Sequence, residues 1–304
     1  MGGAGRWGNR VLIAVTLAGL VGSAEFGLEA TTARAGVSPP QGFSEPFALA
    51  DRPQVPSGAD ISYPQCGAAL PFGRAFGVVG VNGGRADTLN PCLSEELAWA
   101  VEQTTGASPQ PRASVYLNTG DPGTSYLGQP VPDWPRSGDS PDGSCLPQVA
   151  LPHVLGPGQT SVACAWVFGF MKAEQDTIWL GQAAALARLP SKPAQYPFWL
   201  DVETSNTWQD STSMNQADLE GMVAALRVAG VTRIGVYASP QQWLEIAGAS
   251  QTSSSGPLYP LQSWILGAGS QGAAQNECQG PPLTGGKVLL AQFPLGPFDG
   301  DVAC

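Results

Sequence analysis

FWLDVETSNTW, residues 198–208, is a short apolar run that carries two carboxylates two positions apart and then stops in polar residues. In a β-strand, residues i and i+2 share a face. Trp199, Asp201 and Glu203 therefore point one way and Phe198, Leu200 and Val202 the other. A strand whose two faces are both largely apolar is one buried on both sides, as in parallel sheets covered by helices. The apolar set is expected to face the helices, which leaves Asp201 and Glu203 directed inward, about 6.6 Å apart along the strand.

Working outward, the same kind of run recurs at 59–64, 75–82, 113–118, 232–239, 262–269 and 287–294. Helical patterns lie between several of them. Ser94 precedes Glu95 and Glu96 and is expected to cap SEELAWAVEQ; a long helix is expected from Val162 to Leu189, stopped by Pro190; Asn215 is expected to cap NQADLEGMVAALRVAG, with Gly230 at its C-terminal end. Strand and helix in alternation imply parallel strands with right-handed crossovers. The expected fold is a (β/α)8-type TIM-like barrel with one strand degraded or unrecognised. A doubly wound open sheet is the alternative, but GVVGVNGG lacks the GxGxxG spacing of its usual phosphate loop.

Residues 119–160 break the alternation. They are rich in Gly, Pro, Asp and Ser and contain Cys145, Asp121, Asp133, Trp134, Asp139 and Asp142. An insertion after the third strand would stand on the barrel face where active sites are built. Solvated carboxylates are the plainer reading of its acidic residues.

The N-terminus has the pattern of an export signal: Arg6 and Arg10 precede an apolar run from Val11 to Val21, followed by Ala33-Arg34-Ala35. The run is short for a bilayer span, and an uncleaved anchor is the lesser reading. Residues 1–35 are expected to be removed, residues 36–57 to form a Pro-rich linker, and 58–304 to form the barrel domain. Removing 1–35 takes away three Arg and two Glu and moves the formal charge from −10 to −11. That acidity, and expected secretion to the exterior or cell envelope, argue against nucleic acid or stable membrane insertion as the setting for function.

All six cysteines, Cys66, Cys92, Cys145, Cys164, Cys278 and Cys304, lie beyond the signal. An even number in an exported chain implies three disulfides. Six cysteines allow 15 pairings, and nearest neighbours (66–92, 145–164, 278–304) are the expectation. No Cys-x-x-Cys occurs and His153 is the one histidine, so neither a metal site nor a histidine-activated nucleophile is expected, and no cofactor.

Asp60 lies at the end of the first strand, inside GADISYPQC, and Asp299 follows the seventh, inside AQFPLGPFDGDVAC. In a closed barrel the first and last strands are neighbours, so these two acids would meet across the mouth from Glu203. The set Gly58-Ala59-Asp60-Ile61-Ser62 with Gln65, then Asp201-Val202-Glu203, then Gln292 and Asp299, resembles the family-25 glycoside hydrolases, lysozyme-like barrels that cleave bacterial cell-wall glycan. The resemblance implies Glu203 as proton donor, Asp201 as its partner in orienting the substrate, and Asp60 and Asp299 as stabilisers of positive charge at the anomeric carbon. Asn82, Tyr116, Asn118, Trp208, Tyr237 and Gln292 are candidate contacts to a polysaccharide or peptidoglycan glycan. The chain departs from the family at Tyr116-Leu117-Asn118, at Trp264-Ile265-Leu266-Gly267-Ala268 and at Ala291. In this it is similar to secreted bacterial glycoside-hydrolase-like barrels with a Cys-bearing insertion. A glycan-binding barrel without cleavage, and an envelope protein that uses the insertion to hold a partner, are the other functions considered.

Overall fold

The computed structural model describes residues 56–151, 154–248 and 256–304. The expected signal, most of the linker and His153 lie outside the described residues. Eight strands close a barrel: β1 (Ser57–Ile61), β2 (Gly77–Gly80), β3 (Ala113–Asn118), then β10 (Phe198–Asp201), β11 (Ile234–Ala238), β12 (Gln262–Ile265), β13 (Val288–Leu295) and β14 (Phe298–Ala303). Each of the seven apolar runs overlaps a barrel strand. The eighth strand, β14, follows β13 through a tight turn with Gly296 at φ 64° and pairs antiparallel with both β13 and β1. The alternation of a regular (β/α)8 barrel is thus broken at two places: no helix separates β13 from β14, and one turn of 3-10 helix at Tyr63–Gln65 stands where the first would be. Closure through an antiparallel strand sets Asp60 directly opposite Asp299.

Five helices pack outside: α1 (Leu93–Glu102), α2 (Val162–Leu186), α3 (Thr212–Val228), α4 (Pro240–Ala247) and α5 (Gln271–Glu277). Phe198, Leu200 and Val202 are wholly buried in the layer between barrel and helices, against Leu180 of α2 and Leu219, Met222 and Val223 of α3. Trp199 belongs to a separate cluster inside the barrel. The alternation in FWLDVE is thus used as its period demands.

Two caps differ from the sequence expectation. α1 starts earlier, with Cys92 at the N-cap, because the Asn90 side chain accepts from Cys92 N (2.9 Å) and donates to Glu96 Oε2 (2.7 Å); Ser94 falls inside the first turn. α3 starts after Ser211, and Asn215 is a buried clamp whose amide donates to the carbonyls of Gln209 (3.0 Å) and Ile246 (3.1 Å). α2 ends three residues before the expected Leu189, since Arg188 turns left-handed (φ 59°) ahead of Pro190. Gly230 has the left-handed conformation (φ 84°) expected of it.

The insertion is not a structureless loop. It folds as three small antiparallel hairpins, β4 (Ser125–Tyr126) with β5 (Gln129–Pro130), β6 (Gly138–Ser140) with β7 (Gly143–Cys145), and β8 (Pro147–Leu151) with β9 (Val154–Gly158). The three disulfides are Cys66–Cys92, Cys145–Cys164 and Cys278–Cys304, the nearest-neighbour set. The second ties the insertion to the first turn of α2. Lys172, on the same helix, pairs with Asp133 of the insertion, and Trp134 stacks on Phe168 at 5.2 Å.

Further along α2, Asp176 is fully buried and accepts from Asn82 Nδ2 at 2.9 Å. Burial, opposed by that bond and by Lys172, pushes it up to about 8. An unfolded aspartate titrates near 4. Between these values the folded state holds a proton that the unfolded state lacks, so stability falls as pH rises, by about 1.4 kcal/mol per pH unit from one such group. Asp176→Asn keeps the acceptor and removes the titration. Urea unfolding at pH 5 and pH 8 should show a shallower loss of stability in the variant; equal losses would refute the assignment.

Candidate active site

The barrel interior is filled by aromatic rings up to the mouth. Trp264 is the hub, 4.3 Å from Tyr237, 5.8 Å from Trp199 and 6.4 Å from Tyr116 between ring centroids. Above this plug lies a pocket of about 140 Å³. Asp60, Asp201, Glu203 and Asp299 supply its acid, and Tyr116, Tyr237, Trp264 and Gln292 its remaining wall. The structure therefore brings together all four acids singled out in the sequence, from β1, the end of β10 and β14. Trp264, at a position where the chain departs from the family-25 pattern, joins them in the lining.

The backbone around Asp201 and Glu203 is tied at several points. The Asp201 carbonyl accepts from Thr119 Oγ1 (2.5 Å) and Asn206 Nδ2 (3.1 Å), and the Glu203 carbonyl from Trp208 Nε1 (2.8 Å). The Asp201 carboxylate accepts from Asn118 Nδ2 at 2.7 Å. Asn82 accepts in turn from Asn118 N at 2.8 Å. Asn82, fully buried, and Trp208 do not line the acidic pocket: the first spans β3 and α2, the second holds the Glu203 backbone and borders a separate surface depression with Gln209. Asn118 acts on the pocket through Asp201. Of the six proposed glycan contacts, Tyr116, Tyr237 and Gln292 reach the wall itself.

Among the residues lining the pocket there is no Lys, Arg or His. Burial pushes every acid upward. Asp60 rises to about 7 by burial and by the charge of Asp299, against the bond from Gln292. Asp201 lies well above the usual carboxylate range, by burial and then by Glu203; burial raises Glu203 and Asp299 as well. Crowded carboxylates without a cation cannot all ionise together, so part of this set keeps its protons more readily than free carboxylates do. Glu203 and Asp201 face each other, and of these two Glu203, partly exposed, is the one that solvent can reach.

The acids of the insertion lie elsewhere. Asp121 is buried beside Gly123 N (3.2 Å), Asp139 accepts from Ser144 Oγ (2.7 Å), and Asp142 N donates to Ser140 Oγ (3.2 Å). Asp133, in its pair with Lys172, borders a second cavity of about 410 Å³. That cavity runs between the tip of the first hairpin, at Tyr126 and Leu127, Arg85 and Asp87 of the β2–α1 loop, and Ser205–Thr207. Thr119 and Asn206 belong to its lining and also bond the Asp201 carbonyl, so the two cavities share a wall. Among the described residues no group of three or more His, Cys, Asp or Glu is arranged to hold a metal ion. No helix among them is long and apolar enough to cross a membrane.

An acid-lined pocket at the mouth of a closed α/β barrel is the kind of site in which sugar polymers are bound and cut. Residues 191–278, which hold Asp201, Glu203, Tyr237 and Trp264, match the family model of Lysozyme-like protein 1. The chain is 41% identical over 61 residues to the probable GH family 25 lysozyme 4 of Dictyostelium discoideum, and 43% identical over 61 residues to the probable GH family 25 lysozyme 2 of the same organism. Each match covers 20% of this chain and 28% of the relative, so the chain spans little more than a quarter of the relatives' length. Among solved structures it is similar to a muramidase from Trichobolus zukalii (13% identity, TM-score 0.44, 82% of this chain and 93% of the other). It is also similar to the modular autolysin LytC of Streptococcus pneumoniae in complex with a synthetic peptidoglycan ligand (11% identity, TM-score 0.33, 63% and 36%). Over residues 191–278 the chain is thus similar to lysozyme-like proteins, and over 61 residues to the two probable family-25 lysozymes.

Proposed function

We propose that the chain is a secreted hydrolase of cell-wall polysaccharide, with the glycan of peptidoglycan as substrate and Glu203 as general acid. The observation that carries this reading is the meeting of Asp60, Asp201, Glu203 and Asp299 in one pocket that has no cation in its lining. The lysozyme-like match over residues 191–278 agrees with it. Three disulfides fit an oxidising exterior.

In this mechanism Glu203 gives its proton to the glycosidic oxygen as the bond to the anomeric carbon breaks. Asp201 holds the substrate's acetamido group as its carbonyl oxygen closes on that carbon, while anionic Asp60 and Asp299 face the developing positive charge. Water then adds at the anomeric carbon and its proton returns to Glu203. The polymer continues from the small acidic pocket into the larger cavity under the insertion, where Tyr126 offers a ring to an incoming sugar. Tyr126→Ala is expected to raise KM for the polymer several-fold with kcat nearly kept, since the ring lies away from the reacting atoms; an unchanged KM would remove the insertion from substrate binding.

The test of substrate class is incubation of the full chain with peptidoglycan and with a panel of acetylated and neutral polysaccharides, scoring new reducing ends and co-sedimentation together. Reducing ends from peptidoglycan support the proposal. Binding without cleavage would make this a glycan-binding barrel, and neither would favour an envelope protein that holds a partner.

A further inference from the structure

The β14 strand carries a second inward acid that the mechanism above does not use. Asp301 stands opposite Gln292 on β13 and two positions from Asp299, so all three side chains share the inner face. It is completely buried, and neither of its oxygens meets a donor at hydrogen-bonding geometry. Its polar neighbours are the carboxyl of Asp60 and the indole N–H of Trp264. An ionised carboxylate buried without donors is among the most costly groups a fold can contain.

The hydrogen bonds around Asp60 say how that cost is avoided. Tyr237 Oη donates to Gln292 Oε1 at 2.8 Å, which turns the Gln292 amide so that Nε2 donates to Asp60 Oδ2 at 3.1 Å. Asp60 is therefore an acceptor on the side of Gln292. A second donor from below would hold it as the anion, and Asp301 can be that donor if it keeps its proton.

We propose that Asp301 is a positioning residue: it stays protonated at neutral pH and donates its O–H to Asp60, holding Asp60 ionised and fixed beneath the site of positive charge. The proposal rests on the hydrolase reading for its functional consequence, but not for the location of the proton. The other titratable groups that face this pair are Asp299 on β14, Asp201 at the end of β10 and Glu203 just beyond it, and Tyr116 and Tyr237 from β3 and β11. All are acids, so none supplies the cation that would let Asp301 ionise. Burial, then the charge of Asp60, pushes the Asp301 carboxyl well above its usual range, in the same direction.

Two measurements test it. Infrared spectra of wild type and Asp301→Asn at pH 8 should differ by one protonated-carboxyl band, present in wild type; absence of that band from the difference spectrum would overturn the proposal. In the pH dependence of kcat/KM, the acid limb reports ionisation of Asp60. Asp301→Asn supplies a permanent donor of similar shape in place of the carboxyl O–H and should leave that limb near its wild-type position. Asp301→Val removes the donor and should move it up by about one pH unit, the scale of one charge-assisted hydrogen bond. A wild-type limb in Asp301→Val would reduce Asp301 to a packing residue. Should the chain prove to cleave nothing, the infrared result decides the proton alone, so failure of the hydrolase reading and failure of this one are told apart.

Discussion

Glu203→Gln is expected to lower turnover on peptidoglycan by about 100- to 10,000-fold, the range that a positioned general acid supplies. Glutamine has the shape of the acid and can still bond Asp201 and Gln242, both of which interact with the Glu203 carboxyl. It cannot give a proton to a leaving oxygen. Because the lost interaction exists only in the transition state, kcat and kcat/KM should fall together while affinity for the polymer stays near that of wild type. The loss should also be greater than that of Tyr126→Ala, which touches binding alone. A variant with more than a tenth of wild-type turnover would assign the proton to another group, with Asp201 the first to examine.

Gly221→Val is expected to be the most damaging change in the scaffold. Helices α2 and α3 make the most extensive helix–helix contact among the described residues, and two glycines allow it: a Cβ on Gly169 would sit 1.9 Å from the Asp218 carbonyl oxygen, and one on Gly221 2.0 Å from that of Trp166. Both obstacles are backbone, which cannot swing aside. The helices must part, and α2 carries the disulfide, Lys172 and Phe168 that seat the insertion. A cost of about 3 kcal/mol follows from overpacking at such a contact. For a domain of this size that lowers Tm by roughly 6–12 °C. Gly272→Ala is the control, since nothing lies within 4 Å of the added carbon and the position is helical; it should be neutral or slightly stabilising. Equal melting temperatures for the two variants would show that the helix contact does not depend on glycine.

What was legible in the sequence is what repeats locally. The FWLD alternation and the seven apolar runs follow from the period of a strand, and each run overlaps a strand of the barrel; the order of the three short acid motifs rests instead on the resemblance to the family-25 glycoside hydrolases. β14 was missed for a physical reason: its inward residues are Asp299 and Asp301, so it lacks the apolar run by which a buried strand is recognised. The D-x-D spacing in FDGDVA was the available signal, the same one that drew attention to Asp201 and Glu203. The insertion hairpins are two to five residues a strand and rich in Gly and Pro, too short for any period to show. Asn82 and Asn118 look alike in sequence, each at the end of an apolar run. They part company because Asn82 finds Asp176, 94 positions away, while Asn118 finds Asp201. Such partners are set by the packing of α2 against the barrel and leave no local mark.

The central claim is that the acids at the barrel mouth cut glycan rather than merely hold it. Its most direct test is the count of new reducing ends released from purified peptidoglycan by the full chain, run beside Glu203→Gln with co-sedimentation measured in the same tubes. The account predicts that both proteins bind and that only the wild type releases reducing ends. Equal binding with no release by either would contradict it.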